Sequence, residues 1–285
     1  MSINLASKAS DKVVDRFKIA SVTEGLSTSQ YNWTGVATVR VYSIDNLTLK
    51  NYDRTKVSGP RFGAIEEVGD TVQDMTVADD KSFNGSIDKG NNTSQLMIKQ
   101  ASRILRQTTD EVIIPYVDKY RLAKMAAGAG IKAAKTIDAQ DGIETLLTAG
   151  AAMSNALVPK QGRVLYIGET LAIQLKLADQ VIGVDKLAEK SIVNGEIGLL
   201  DGMHVRIVPD SYMPEVDVSS TSTPSMKKVN FMIVLKGVVC FPKKIETFRI
   251  LEEHPDIDGH VVQGRFLHDA FVLDTKKNGI YVGHA

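Results

Sequence analysis

The chain of 285 residues has one cysteine, Cys240. A single thiol builds neither a disulfide framework nor a four-ligand zinc site. It lies in the apolar run Val238-Val239-Cys240-Phe241, which reads as a buried core thiol. Charge excess is also missing: Lys+Arg and Asp+Glu are both 34, so the formal net charge is zero. A protein that grips nucleic acid through its phosphates carries a basic surplus. A chain at its own isoelectric point instead tends to associate. No window approaches the roughly 20 apolar residues of a membrane span, and Met1–Ser10 has no signal-peptide pattern. The expectation is a protein made in the cytosol, without a membrane partner. The glycosylation-type triplets, such as Asn32-Trp33-Thr34 and Asn46-Leu47-Thr48, are then chance matches.

Catalytic signatures are equally absent. There is no GxxxxGK, HExxH or GxSxG. His204, His254, His260, His268 and His284 are never three or four residues apart, so no helical metal pair forms. Gly128-Ala129-Gly130-Ile131-Lys132-Ala133-Ala134 loosely fits a dinucleotide fingerprint, but a helix precedes it where a strand is required. Helix end and linker is the better reading. The acidic stretch from Glu252 to Gly259 contains Pro255 and Ile257 and does not match an EF-hand loop. A solvated turn or an intersubunit salt-bridge partner fits it better. No nucleophile, base and orienting group assemble, and no cofactor is implied.

What is present is a sequence of distinct parts. Residues 1–33 are polar and weakly patterned, an extended arm. From Val36 the apolar residues alternate: Val39 and Val41, then Val68, Thr71, Gln73, Met75 and Val77, then Ser82 to Ile87. This predicts a long hairpin with too few apolar residues for its own core, so its support must come from a neighbour. Its tip is interleaved in charge, with Lys50, Asp53, Arg54, Lys56, Arg61, Glu66 and Glu67 as candidate contacts. Asn92 and Gln95 then mark a capping box. Ala101, Ile104, Leu105, Thr108, Val112, Tyr116, Tyr120 and Ala123 follow at three- and four-residue steps. They predict a helix over residues 93–127, kinked or split by Pro115. Its stripe places Ile104, Tyr116 and Tyr120 against a sheet.

An α/β unit follows. Helices are expected from Asp141 to Leu157 and over Glu169–Ala178, with a buried strand at Val164–Ile167 between them. The glycine-punctuated stretch Ile192–Val208 contains Asn194-Gly195, a hairpin dipeptide expected to need positive φ at Gly195. Gly198 and Gly202 are further structural glycines. Phe231–Phe241 reads as a strand covered on both faces. The tail returns to strand at Thr247–Leu251, Val261–Leu273 and Ile280–Val282.

Several stretches together resemble one family. Tyr31-Asn32-Trp33-Thr34-Gly35 before Val39-Arg40-Val41-Tyr42 is similar to the start of its extended loop. Asp110-Glu111-Val112-Ile113-Ile114-Pro115 with Tyr120-Arg121-Leu122-Ala123 resembles its spine helix, proline included. Asn194-Gly195-Glu196-Ile197-Gly198-Leu199-Leu200-Asp201-Gly202-Met203-His204-Val205 resembles its axial-domain hairpin. Gly264-Arg265-Phe266-Leu267-His268-Asp269-Ala270-Phe271-Val272-Leu273 resembles its closing strand. The family is the tailed-bacteriophage major capsid protein of the Hong Kong ninety-seven type, a fold shared with encapsulins.

The resemblance covers nearly the whole chain and rests on the order of the parts. It implies an α+β fold with an N-terminal arm (1–33), an extended hairpin loop (34–88), a spine helix of the peripheral domain (89–135), an axial domain (136–241) and closing peripheral strands (242–285). It implies a structural, non-enzymatic subunit of the virion capsid that joins copies of itself into hexamers and pentamers around double-stranded DNA. A portal and a separate scaffold protein are the implied partners; without a long charged N-terminal extension to act as a fused scaffold, either a separate scaffold protein exists or none is needed. The implied contacts are the loop-tip charges named above and, in the peripheral turn, Arg249, Glu252, Glu253, Asp256 and Asp258. An encapsulin-like compartment is the nearest alternative, and an α/β enzyme is the alternative from another class.

Overall fold

The computed structural model describes residues 21–28, 31, 33, 38–90, 101–135, 137, 141–177, 199–218, 225–251, 255 and 257–285. Expectations on the arm before Ser21, the Asn92 cap, Asn194-Gly195 and Gly198 lie outside these residues.

The body is a mixed sheet in the order β4-β14-β9-β5-β7-β6, with β8 also paired to β9. Its strands are β4 (Ile131–Ala134), β5 (Arg163–Gly168), β6 (Leu199–Leu200), β7 (Met203–Val208), β8 (Glu215–Asp217), β9 (Met226–Leu235) and β14 (Ile280–His284). Every residue of β5 is buried. The two-residue alternation divides its side chains between two cores. Val164 and Tyr166 join Val234, Val282 and the helical Leu122, Met125 and Ala126 on one face. Leu165 and Ile167 join Phe231, Ile233, Tyr281, Leu146 and Met153 on the other. A sheet covered on both faces needs continuous apolar strands, which is what these segments supply.

The apolar run to Phe241 is not one strand. It breaks after Leu235, because Gly237 takes φ +81 in a turn before β10 (Val239–Cys240). β10 pairs with β13 (Phe271–Val272). The stretch read as a linker after Gly130 contains strand β4, which pairs in parallel with β14.

The long helical signal contains α1 (Ala101–Thr108), a wide π turn (Thr109–Ile113) and α2 (Ile114–Ala127). Pro115 stands in the first turn of α2. It has no N–H to give to the turn before it, and the π turn lies just there. Val112 is exposed, and so is Ala123, both expected on the buried stripe. The buried side chains of α2 are Asp118, Arg121, Leu122, Met125 and Ala126. Tyr116 and Tyr120 nevertheless face the sheet as expected: Tyr116 meets Phe266 edge-on at 6.3 Å, and Tyr120 meets His268 at 5.1 Å. That second sheet has the order β11-β12-β3, from β11 (Lys243–Leu251), β12 (Gly259–His268) and β3 (Asp79–Asp88).

Two helices cover the other face of the body. They are α3 (Gly142–Asn155) and α4 (Glu169–Leu177). The end of α3 is closed by a buried guanidinium. Arg163 donates from Nε to the Pro159 carbonyl at 2.9 Å, from one Nη to Gly150 O at 2.8 Å and from the other to Val158 O at 2.7 Å. A cation at a helix C-terminus complements the helix dipole. A second buried charge anchors the start of the described chain. Asp118 accepts from Ser21 Oγ (2.8 Å), Val22 N (2.9 Å) and Thr23 Oγ1 (2.5 Å). Leu26 is fully buried in the body's core, so residues 21–28 are held against it.

Candidate subunit-contact site

The first two strand segments of the expected hairpin form a ribbon of their own. β1 (Thr38–Ile44) pairs antiparallel with β2 (Asp70–Thr76), from Thr38↔Thr76 to Ile44↔Asp70. The third segment, β3, leaves the ribbon and pairs with β12 along its length. Arg40 holds Asp74 through two hydrogen bonds of 2.7 and 3.0 Å, which keeps the Asp74 carboxyl below its usual range.

The ribbon has a buried root. Val41, Met75 and Val77 form a small core with Trp33, Cys240 and Leu273, and Trp33 stacks on Phe271 at 5.7 Å. Burial raises the pKa of the Cys240 thiol, as expected of an inert core cysteine. Gln73 fastens the ribbon to the body at both ends of its amide. Its Nε2 donates to Val272 O at 2.8 Å, and its Oε1 accepts from Asp274 N at 3.1 Å.

Beyond the root the ribbon continues without a core. Leu49, Val57 and Ile65 are 102%, 98% and 97% exposed, and Phe62 is 81% exposed. Ile44, Leu47, Tyr52 and Val68 are exposed too. Scattered apolar residues on a surface are ordinary, but a concentration of them on one element is not.

The candidate charges of the loop mostly brace it from within. Lys50 Nζ reaches Glu66 Oε1 at 2.6 Å and Ala64 O at 2.9 Å. With Thr48, that bond lowers the Glu66 pKa. Asp53 accepts from Thr55 N and Oγ1, which lowers its own. Lys56 Nζ donates to Pro60 O, and Arg61 Nε donates to Lys56 O. Arg54 and Glu67 are exposed. The charges therefore shape the tip, while its apolar side chains point outward. Leu49, Val57, Phe62 and Ile65 were missed because apolar residues in a turn-rich loop carry no periodicity. Their signal was their number within a segment without a core.

The peripheral-turn residues are not gathered in the same way. Arg249 lies on β11 with Nε on Gln263 Oε1 at 2.9 Å, and the Asp258 carbonyl accepts from Lys89 N at 2.9 Å. Glu252, Glu253 and Asp256 lie outside the described residues. A tight turn lies at Asp201-Gly202, with φ +47 and +77 between β6 and β7, while Gly195 is outside the described residues. Both φ values are positive, as a type I′ hairpin requires. No cluster of three or more metal-ligating side chains exists among the described residues, and no helix there is long and apolar enough to cross a membrane.

No protein-family model matches the chain, and no curated protein sequence matches it. Solved structures do. A structure from Mycobacterium phage Che8 aligns with TM-score 0.77 at 17% identity, over 98% of this chain and 96% of the other. The capsid structure of cyanophage P-SCSP1u aligns with TM-score 0.77 at 14% identity, over 98% and 92%. The mature capsid of bacteriophage PhiM1 aligns with TM-score 0.71 at 11% identity, over 99% and 92%. The alignments take in nearly the whole of both partners each time, so the chain has the mixed α+β fold of these phage capsid structures.

Proposed function

We propose that the chain is a phage major capsid subunit that builds a closed shell by binding copies of itself. The observation that carries this is the ribbon: buried at its root, apolar and uncovered at its tip. In this reading the mixed sheet with its helices is the axial domain, and the three-stranded sheet with α1 and α2 is the peripheral domain. The ribbon is the extended loop, which lies on a neighbouring subunit. A contact between two different surfaces closes into a ring when the rotation between copies closes, giving hexamers and pentamers. The shell encloses DNA without gripping it, in keeping with zero net charge, and portal and scaffold proteins are separate partners.

The test replaces Asn46–Val68 by a short Gly-Ser turn. The subunit should keep its helical circular dichroism and its cooperative melt, while closed shells vanish from negative-stain images. Normal shells from that variant would refute the clasp. Shells of the unaltered chain that hold an enzyme and no DNA would instead favour the encapsulin-type compartment.

A further inference from the structure

The ribbon joins the body at Val77-Ala78-Asp79, where three elements meet: the start of β3, helix α2 and the end of β12. Two carboxylates hold this junction. Asp79 accepts from the Tyr116 hydroxyl at 3.0 Å. Asp269 accepts from the Tyr120 hydroxyl at 2.8 Å, from Ala78 N at 3.0 Å and from Ala270 N at 2.8 Å. The two residues on which the ribbon turns are thereby fixed to the helix and to the closing strand.

His268 is packed into the same junction and is 3% exposed. Its ring stacks on Phe266 at 5.4 Å and meets the edges of Tyr116 and Tyr120. Nε2 lies 2.9 Å from Asp79 Oδ2, yet neither ring nitrogen is aligned for a hydrogen bond. The other charges facing it come from every side. Lys81 on β3 stands 3.3 Å from Asp79, and Lys124 on α2 stands 3.9 Å from Asp269. Arg121 on α2, Lys243 and Glu246 on β11, and Glu24 in the held segment line a cavity of about 360 Å³ that His268 also lines.

We propose that this cluster is a proton-sensitive joint: neutral His268 fixes the ribbon's direction, and a proton on His268 releases it. The proposal rests on the ribbon being the subunit clasp and adds its regulation. With His268 neutral, the charges of Asp79 and Asp269 are matched by Lys81 and Lys124. A further positive charge would enter a buried ring enclosure beside Arg121 and Lys243. Burial lowers the pKa of His268 below its ordinary value of 6.5; Asp79 and Asp269 oppose the shift, and Arg121 and Lys243 add to it. Opening the joint to water removes the burial cost, so the open form binds the proton more tightly. The closed joint is thus fully stable above about pH 6.5 and loses stability as pH falls through the lowered value.

Hydrogen exchange on the purified, unassembled chain tests this. Between about pH 7.5 and about pH 5, after correction for intrinsic chemistry, amides of residues 70–79 should exchange measurably faster. Strands β5 and β9 should be unchanged, and His268→Gln should abolish the acceleration. A flat wild-type profile overturns the proposal, as does full acceleration in the Gln variant. If that variant does not fold, an NMR titration of the His268 ring in the unaltered chain decides. A midpoint below 6.5 is expected, and one at or above it overturns the joint. Neither readout involves shells, so a failure here is distinguishable from a failure of the clasp.

Discussion

The mixed sheet and the ribbon are built from similar strands, and they differ in what covers them. All six residues of β5 are buried, whereas in β1 only Val41 is and in β2 only Met75. The body is held by apolar side chains, each contributing about 1.5–3 kcal/mol when fully buried. The ribbon beyond its root is held by exposed ion pairs and turn bonds such as Arg40–Asp74, Lys50–Glu66 and Asp53–Thr55. Pairs exposed to water are screened and contribute little. Those braces set a shape; they do not make a second folding unit. In the proposed reading the ribbon is a preformed surface whose stability is completed by contact with a neighbouring copy. Substitutions should therefore separate into those that unfold and those that only prevent assembly.

The largest effect is expected in the body, at Arg163. Its guanidinium satisfies the carbonyls of Gly150, Val158 and Pro159 and meets the Ser154 hydroxyl at 3.0 Å. Arg163→Ala takes a donor from each of these carbonyls and leaves a space where the guanidinium lies against Gly150. A loss of about 3–5 kcal/mol is expected, read as a fall in the denaturant midpoint. A loss under about 1 kcal/mol would mean that water replaces the guanidinium and that this end of α3 is not sealed.

Much of the body could be read from the sequence because its signals are local. Strand β5 was expected at Val164–Ile167, α4 at Glu169 and the end of α3 before Pro159, each from its own run of side chains and breakers. Pairing was less legible. Whether β3 continues the ribbon or joins another sheet depends on β12, far along the chain, and nothing within Asp79–Asp88 states that partner. Val112 was misjudged because it lies within the wide π turn, where the three- and four-residue steps of an α-helix do not apply, and Ala123 is exposed although Tyr116 and Tyr120 of the same stripe face the sheet. Arg163 passed unnoticed because a lone arginine at the start of a strand resembles a surface residue until α3 is packed over it. At the ribbon tip the charges were legible and their use was not. Lys50, Asp53 and Glu66 serve the loop itself, and only the folded chain shows that the described residues leave Leu49 and Phe62 exposed.

A smaller effect is expected at Gly202, on the turn between β6 and β7. An added Cβ there meets nothing within 4 Å, so space does not restrict the position. The backbone does, because φ is +77. Gly202→Ala should cost about 1 kcal/mol, a downward shift of a few degrees in the melt. No change would show that the turn relaxes to another type. A loss like that of Arg163→Ala would show that this hairpin is part of the core.

The sharpest form of the comparison is a substitution with almost no effect on the folded subunit. Phe62 is 81% exposed and touches Tyr52 edge-on at 4.9 Å, while Leu49 has no cover at all. Replacing both by Ser removes two apolar side chains from water rather than from a core. The melt of the unassembled subunit should therefore move by less than about 0.5 kcal/mol equivalent. In the proposed reading the same side chains are buried against a neighbour in the shell, where each would contribute about 1.5–3 kcal/mol. Every subunit makes the contact, so the loss recurs around each closed ring. Light scattering during assembly should then show a threshold concentration raised by tenfold or more, since about 1.4 kcal/mol per contact is a factor of ten. Equal thresholds for the variant and the unaltered chain would place the adhesive surface elsewhere on the subunit. A variant that assembles normally but unfolds easily would reverse the comparison itself, by showing that the tip belongs to the subunit's own core.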